Sequence, residues 1–367
     1  MRVSMLSVSK ASRDFRERQF HHTPILSRVP KLHFKGSCSP AFSLLPKSMW
    51  ICSEFFVYAR AVCQSSFRHG PKMETSGGQG GEKYIAKRLW PEQEARPPTT
   101  DTLTVIFFHG LQMLDGTDTS ETTWKNRLGT VCWPQVWLPE DLGKERVRVL
   151  SMSYDSIASC WGIRGQTEDL RAIGSDLVEK FITMSEWKLY ENQKIVLVGH
   201  SFGGLVIKSL VLEASRKAKL IDRAINKLEK KNFSNCKNFL ENIKGIVFYG
   251  VPHHGTSIAQ YLKDFDRAFP KVQLGDLIKN LQPFQNDMEQ LSVDFEDALK
   301  PDIIFYAFAE LLKYNKVLVV PWSSATQLTR NHNMTLDANH IDICKPYSKH
   351  DAGYRKLVEI LELIMDG

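Results

Sequence analysis

The stretch Ile195-Val196-Leu197-Val198, followed by Gly199-His200-Ser201-Phe202-Gly203-Gly204, decides the fold of this chain. The four apolar residues predict a buried strand, and the mostly apolar stretch from Leu205 to Leu210 predicts a helix directly after the glycines. In a Gly-x-Ser-x-Gly turn the serine has strained backbone angles, and its Oγ lies exposed at the carboxyl end of the sheet. The stretch therefore predicts a nucleophilic Ser201, and a glycine-rich turn before a core helix is the structural alternative.

Strand and helix signals alternate from about residue 100 onward. Buried strands are predicted over residues 103–108, 146–154, 194–198, 243–250, 303–308 and 316–320. Helices are predicted over 167–187, from 205 to about 230, and over 257–300 as amphipathic helices broken at Pro270 and Pro283. This alternation predicts an α/β fold with a mostly parallel central sheet, helices on both faces and a helical cap segment over the site.

The amino-terminal part of the chain is strongly basic. Residues 1–72 contain twelve Lys and Arg against three acidic residues, a balance of +9, so the chain's net charge of +7 leaves −2 for residues 73–367. The folded part therefore gives no reason to expect a nucleic-acid partner. Residues 1–82 are predicted to be a disordered leader and residues 83–367 a single α/β-hydrolase domain.

The leader is rich in Ser and Arg and poor in acids, which favours an organellar targeting segment, with the mitochondrion as the expected location. An untargeted tail, in the cytoplasm or at the surface of the endoplasmic reticulum, and a working start at Met73 are the alternatives. The apolar segment 50–60 is too short to cross a bilayer of about 30 Å, so it is interpreted as a hydrophobic transit or linker segment, with peripheral membrane contact as the alternative.

The seven cysteines include no Cys-x-x-Cys pair, so the sequence suggests neither a disulfide framework nor a zinc site. Neither a metal nor an organic cofactor is expected.

A serine hydroxyl needs an adjacent base, and His332, His340 and His350 follow the last predicted strands. His340 lies in a loop that leads into the final helix and is the predicted base, whereas the other two have polar neighbours typical of surface histidines. Glu310 comes directly after the strand that ends at Phe308 and is the predicted acid. A solvated carboxylate is the alternative interpretation of Glu310, and Asp155 is the reserve acid.

Two backbone N–H groups are needed to stabilise the oxyanion of an acyl-transfer reaction. The amide of Phe202 follows the nucleophile, and the amide of Leu111 lies in the loop after the first predicted strand. His109 in this loop is predicted to pack beside the turn, and Trp124, Trp133 and Trp137 are predicted to pack in the core beneath it.

Further sequence motifs, together with the turn at Ser201, are distributed over residues 103–346. They are Phe108-His109-Gly110-Leu111, Thr123-Trp124, the run 132–139 (CWPQVWLP), Ser153-Tyr154-Asp155-Ser156, the turn at 199–204, the run 248–255 (FYGVPHHG) and the run 339–346 (NHIDICKP). This set resembles the lipase-like α/β-hydrolases of the serine active site containing protein family, and more distantly the GPI inositol-deacylase-like hydrolases.

The resemblance implies that Ser201 and His340 are nucleophile and base, that Glu310 matches a glutamate of the family, and that phosphatidylglycerol remodelling is the associated chemistry. Ser323 stands where relatives often have an acid.

The resulting hypothesis is a serine esterase or lipase that cleaves acyl esters, with membrane lipids as the expected substrates. The alternatives are a non-catalytic lipid- or protein-binding module and an acyltransferase that uses the same triad. The sequence gives no indication of the oligomeric state.

Overall fold

The structure is a computed structural model of the full chain. It describes residues 85–92, 99–111, 118–154, 156, 166–183, 187–189, 191–253, 255–270, 281–329 and 332–367. All of these residues lie in the unit formed by residues 79–367. The predicted leader, with its targeting segment and its apolar stretch, falls outside the described residues, and the predicted boundary at residue 83 stays a prediction.

The centre of this unit is a seven-stranded sheet with the order β1-β3-β2-β4-β5-β6-β7. Among the strands of the described ranges, β1 alone runs antiparallel, and it pairs with β3 at the edge. The strands are β1 (Ile85–Trp90), β2 (Leu103–Phe108), β3 (Val147–Ser153), β4 (Lys194–His200), β5 (Ile243–Tyr249), β6 (Ile304–Glu310) and β7 (Asn333–Leu336). This topology confirms the predicted mostly parallel sheet.

Helices cover both faces of the sheet. They are α1 (Thr119–Thr122), α2 (Trp133–Leu142), α3 (Gln166–Leu177), α4 (Phe202–Ala218), α5 (Lys227–Asn242), α6 (Gly255–Ala268), α7 (Leu281–Ala298), α8 (Trp322–Ala325) and α9 (Ala352–Asp366). One buried cluster packs α3, α4 and α5 against one face. The other places α2 and α9 against the opposite face and includes Trp124 and Trp133. The predicted core role of these two tryptophans is confirmed, and Trp137 is partly buried against the same cluster. None of the helices in the described ranges is long and apolar enough to cross a membrane.

The strand register brings several carboxyl ends to one edge of the sheet. Gly199 at the end of β4 pairs with Phe108 of β2 on one side and with Phe248 of β5 on the other. Tyr249 pairs in turn with Phe308 near the end of β6. The loops after these four strands therefore meet at one place, which is where α/β sheets bind ligands.

Three sequence expectations about elements were wrong. Residues 316–320 form no strand, because Val319 and Val320 are buried within an irregular loop, and periodicity cannot distinguish a short apolar run in a strand from one in a buried loop. The helix predicted to reach about residue 230 ends at Ala218, and a new helix begins where the Asn226 side chain accepts a hydrogen bond from the Glu229 amide.

The third concerns Pro283. It does not break a helix, because α7, described over Leu281–Ala298, is helical on both sides of it. The helix predicted over 167–187 is α3 continued by a π-helical turn over Val178–Ile182.

Candidate active site

The turn after β4 presents Ser201 with backbone angles of φ 55° and ψ −123°, which are rare for a residue with a side chain. The Ser201 amide donates to the carbonyl oxygen of Tyr249 over 2.9 Å, which ties the turn to β5. A Cβ on Gly203 would lie 2.1 Å from the Phe108 carbonyl oxygen, and a Cβ on Gly199 would lie 2.9 Å from the Gly204 nitrogen. The sharp turn therefore requires the glycines on both sides of the serine.

Ser201, His340 and Glu310 form a continuous chain of hydrogen bonds. The Ser201 Oγ lies 2.9 Å from His340 Nε2. His340 Nδ1 lies 2.8 Å from Glu310 Oε2. The exposed fraction is 1% for Ser201 and His340 and 2% for Glu310. The structure thus brings together the three residues that the sequence selected, in the order nucleophile, imidazole, carboxylate.

Glu310 is the last residue of β6, and its carboxylate is held from two sides. Oε1 accepts a hydrogen bond of 2.8 Å from the Val320 amide, while Oε2 faces His340. Its burial excludes the alternative of a solvated carboxylate. Ser323 is exposed on α8, and the reserve acid Asp155 lies outside the described residues.

His340 is positioned by the loop that carries it. The side chain of Asn339 accepts hydrogen bonds from the amides of Ile341 (3.0 Å) and Asp342 (3.2 Å), which forms a compact turn around the histidine. His200 Nε2 lies 2.9 Å from the His340 carbonyl oxygen. Burial, assisted by the neighbouring His340, lowers the pKa of His200 to about 3, so a neutral His200 donates this hydrogen bond.

The loop after β2 is held so that the Leu111 amide has a fixed direction. The Gly110 carbonyl oxygen accepts from Ser156 Oγ over 3.1 Å and from His109 Nδ1 over 2.8 Å. In a trans peptide the N–H points opposite to the carbonyl, so these contacts also orient the Leu111 N–H. A Cβ on Gly110 would lie 3.2 Å from Ser201 Cβ, which places this loop beside the nucleophile. Phe202, the second predicted donor, is the first residue of α4.

The other histidines in the described ranges are structural or surface residues. His109 is buried, stacks on Tyr154 at 4.1 Å, and has a pKa that burial lowers to about 4, in agreement with its predicted packing role. His332 and His350 are exposed, as expected. His253 is buried and packs edge-on against Phe248, with ring centroids 4.6 Å apart.

One residue at this site was missed by sequence reasoning. The hydroxyl of Tyr261, on the cap helix α6, lies 2.9 Å from Ser201 Oγ, and the side chain is buried. Tyr261, Phe265 and Phe269 follow one another at i, i+4 spacing, which predicts an apolar helix face. That spacing does not reveal which member faces the serine. Across the described ranges, no cluster of His, Cys, Asp and Glu could hold a metal ion.

Comparisons with known proteins find similarity in sequence and in structure. Residues 105–258 match the family described as "Putative serine esterase (DUF676)". Protein SERAC1 of cattle (Bos taurus) is 28% identical over 278 residues, which cover 70% of this chain and 38% of the cattle protein. Human (Homo sapiens) Protein SERAC1 is 28% identical over 240 residues, covering 63% of this chain and 33% of the human protein. The chain thus spans about two fifths or less of the length of these relatives.

Among solved structures, a lipase-esterase related protein from Clostridium acetobutylicum aligns with a TM-score of 0.36 and 11% identity over 77% of this chain and all of its own. An esterase B from Lactobacillus rhamnosis, in complex with a tributyrin phosphonate inhibitor, aligns with a TM-score of 0.37 and 13% identity over 86% of this chain and 94% of its own. The fold assignment rests on the sheet topology and on the turn at Ser201. The resemblance drawn from the sequence motifs is confirmed: residues 105–258 match a putative serine esterase domain, the chain is similar to the SERAC1 proteins, and its fold is an α/β fold with a mostly parallel sheet.

Proposed function

We propose that this chain is a carboxylic-ester hydrolase in which Ser201 is the nucleophile, His340 the general base and Glu310 the acid of a catalytic triad. The observation that carries the proposal is the buried hydrogen-bond chain through these side chains, with distances of 2.9 and 2.8 Å. A neutral serine becomes a nucleophile only when a base within this range takes its proton.

The first half of the reaction forms an acyl-enzyme. Ser201 Oγ attacks the ester carbonyl carbon while His340 Nε2 takes the hydroxyl proton, and Glu310 stabilises the resulting imidazolium. The amides of Leu111 and Phe202 stabilise the negative oxygen of the tetrahedral intermediate. The carbon–oxygen bond to the leaving alcohol then breaks, and this oxygen receives the proton from His340.

The second half releases the acid. A water molecule attacks the acyl carbon and gives its proton to His340, after which the bond to Ser201 Oγ breaks and Oγ recovers the proton. An alcohol in place of water would give acyl transfer by the same steps, so the acceptor alone separates a hydrolase from an acyltransferase.

We further propose acyl esters of membrane lipids as the substrates. Leu311 and Leu312 follow the triad glutamate directly and are 59% and 44% exposed. The loop continues through the exposed Lys313 and Lys316, and it is followed by Trp322, which is 53% exposed. Apolar and aromatic side chains next to lysines suit peripheral contact with an anionic bilayer surface. This surface lies at the end of the sheet where the candidate triad is found.

The function is tested with the full chain, Ser201→Ala and the control Ser323→Ala, which replaces an exposed serine outside the triad. Hydrolysis of a soluble nitrophenyl ester should be lost in Ser201→Ala and unchanged in Ser323→Ala, with equal thermal unfolding midpoints. Hydrolysis of phospholipid in anionic vesicles would support the lipid substrate. Wild-type activity retained by Ser201→Ala would refute the proposal, and a folded wild type with no activity would favour a non-catalytic binding module.

A further inference from the structure

We propose that Tyr261 is a further catalytic residue, which donates a hydrogen bond to Ser201 Oγ and stabilises the negative charge that develops there during attack. This inference rests on the proposed function. It starts from the contact of 2.9 Å between the phenol oxygen and the serine oxygen. Both side chains are 1% exposed, so water does not compete for either partner.

The direction of this hydrogen bond follows from the protons available in the triad. Glu310 Oε1 accepts from the Val320 amide, and an ionised carboxylate has no proton to give, so His340 Nδ1 donates in its contact with Oε2. In a neutral imidazole, Nε2 then has a lone pair and accepts from the Ser201 hydroxyl. Since the only proton of Ser201 is already donated, Tyr261 must be the donor to its Oγ. Burial raises the pKa of Tyr261 far above its usual value, which keeps the phenol protonated.

This hydrogen bond is strongest when the serine oxygen is most negative. As His340 removes the proton, charge builds on Oγ and the phenol donates to a stronger acceptor. Once the acyl-enzyme has formed, Oγ is an ester oxygen and accepts only weakly. An interaction that is stronger in the transition state than in the ground state lowers the barrier to reaction.

The position of Tyr261 is well defined by its packing. The centroid of its ring lies 5.6 Å from the ring centroid of Phe265 on the same helix and 5.9 Å from that of His340. The carboxyl end of this helix is held in turn, because Asn315 Nδ2 donates to the Ala268 carbonyl oxygen over 2.7 Å and Phe269 stacks on Tyr314 at 4.7 Å. The cap therefore holds the donor against the nucleophile.

The test compares wild type, Tyr261→Phe and the control Tyr314→Phe, all as full chains. A fluorophosphonate probe reads the step directly, because the bond from Oγ to phosphorus forms, fluoride leaves and His340 takes the proton. We expect the labelling rate and kcat of Tyr261→Phe to fall by about 10- to 100-fold, somewhat less than the loss of one oxyanion donor. The KM should change little, and Tyr314→Phe should label like wild type.

Tyr261→His is a second variant that keeps a ring donor on the same helix, and it should label faster than Tyr261→Phe. An undiminished or faster rate in Tyr261→Phe would overturn the inference and assign Tyr261 a role in obstructing the serine. Equal rates in the phenylalanine and histidine variants would also contradict it. Failure of the proposed function gives a different result, namely that folded wild type does not label at all, and this inference then fails with it.

Discussion

Replacing Glu310 with glutamine separates the role of the acid from its packing. The carboxylate accepts from the Val320 amide on Oε1 and from His340 Nδ1 on Oε2. A glutamine side chain has only one acceptor oxygen. If this oxygen faced His340, two N–H groups would face each other at Val320, and the lost buried hydrogen bond would cost about 1–3 kcal/mol. We therefore expect the amide to keep its oxygen toward Val320 and to direct its NH₂ group at His340.

That orientation forces the histidine into the wrong tautomer. Nδ1 must accept from the amide, so Nε2 carries the proton and cannot take one from Ser201 Oγ. The same amide substitution in other serine triads lowers kcat by about 10⁴-fold, which corresponds to about 5.5 kcal/mol in the barrier. The fold should be nearly unaffected, because the volume is retained and both hydrogen bonds remain, the one to His340 with its direction reversed.

The assay measures kcat on a soluble nitrophenyl ester for wild type and Glu310→Gln, with the thermal unfolding midpoint of each as the control for folding. Glu310→Asp is the matched variant, because it keeps the charge but shortens the side chain by one methylene, and its activity should fall between the two. If the activity of Glu310→Gln were within 10-fold of wild type, Glu310 would not be the acid of the triad, and another residue would have to serve as the acid.

Two further predictions concern stability. Gly203→Ala should unfold or strongly destabilise the protein, because its Cβ would lie 2.1 Å from the Phe108 carbonyl oxygen. The control Gly129→Ala, where φ is +71° and no atom lies within 4 Å of the added Cβ, should lower the free energy of unfolding by only about 1 kcal/mol in chemical denaturation. Equal losses in the two variants would contradict the explanation by close packing. Lys208 is fully buried, and burial lowers its pKa from 10.5 to about 7, so the unfolded chain binds the proton more tightly and stability should rise as the pH increases from 7 toward 10. Lys208→Met should raise the free energy of unfolding at pH 7 by about 1–4 kcal/mol and remove this pH dependence. The control Lys237→Met, at an exposed lysine, should do neither. If Lys208→Met kept the pH dependence of stability, Lys208 would not be its source.

The elements around the nucleophile could be predicted because their signals are local. The apolar run before Gly199 and the glycines after Ser201 specify a strand, a tight turn and a helix within a few residues. The order of Ser201, Glu310 and His340 along the chain selected the partners, since Glu310 directly follows a predicted strand and His340 lies in the loop that leads into the final helix. The roles of these residues, like the leader and its organellar target, stay predictions.

Other features could not be read from the sequence because they depend on tertiary contacts. The edge strand β7 is short and only partly buried, so its residues carry little hydrophobic signal. The apolar sequence around Val319 is typical of a strand, but in the structure it forms a buried loop beside Glu310. The contact between Tyr261 and Ser201 joins the cap to the turn after β4, and no spacing along the chain specifies it.

The assignment of Ser201 as the nucleophile is tested most directly by mapping the site of covalent labelling by mass spectrometry. Full-length wild-type protein is treated with a fluorophosphonate, digested, and searched for the peptide that carries the phosphonyl group. We expect a single adduct on Ser201, and no adduct after heat unfolding, because the turn, His340 and the oxyanion amides act only when the protein is folded. An adduct on another serine, or no adduct on folded protein, would contradict the assignment of Ser201 as the nucleophile.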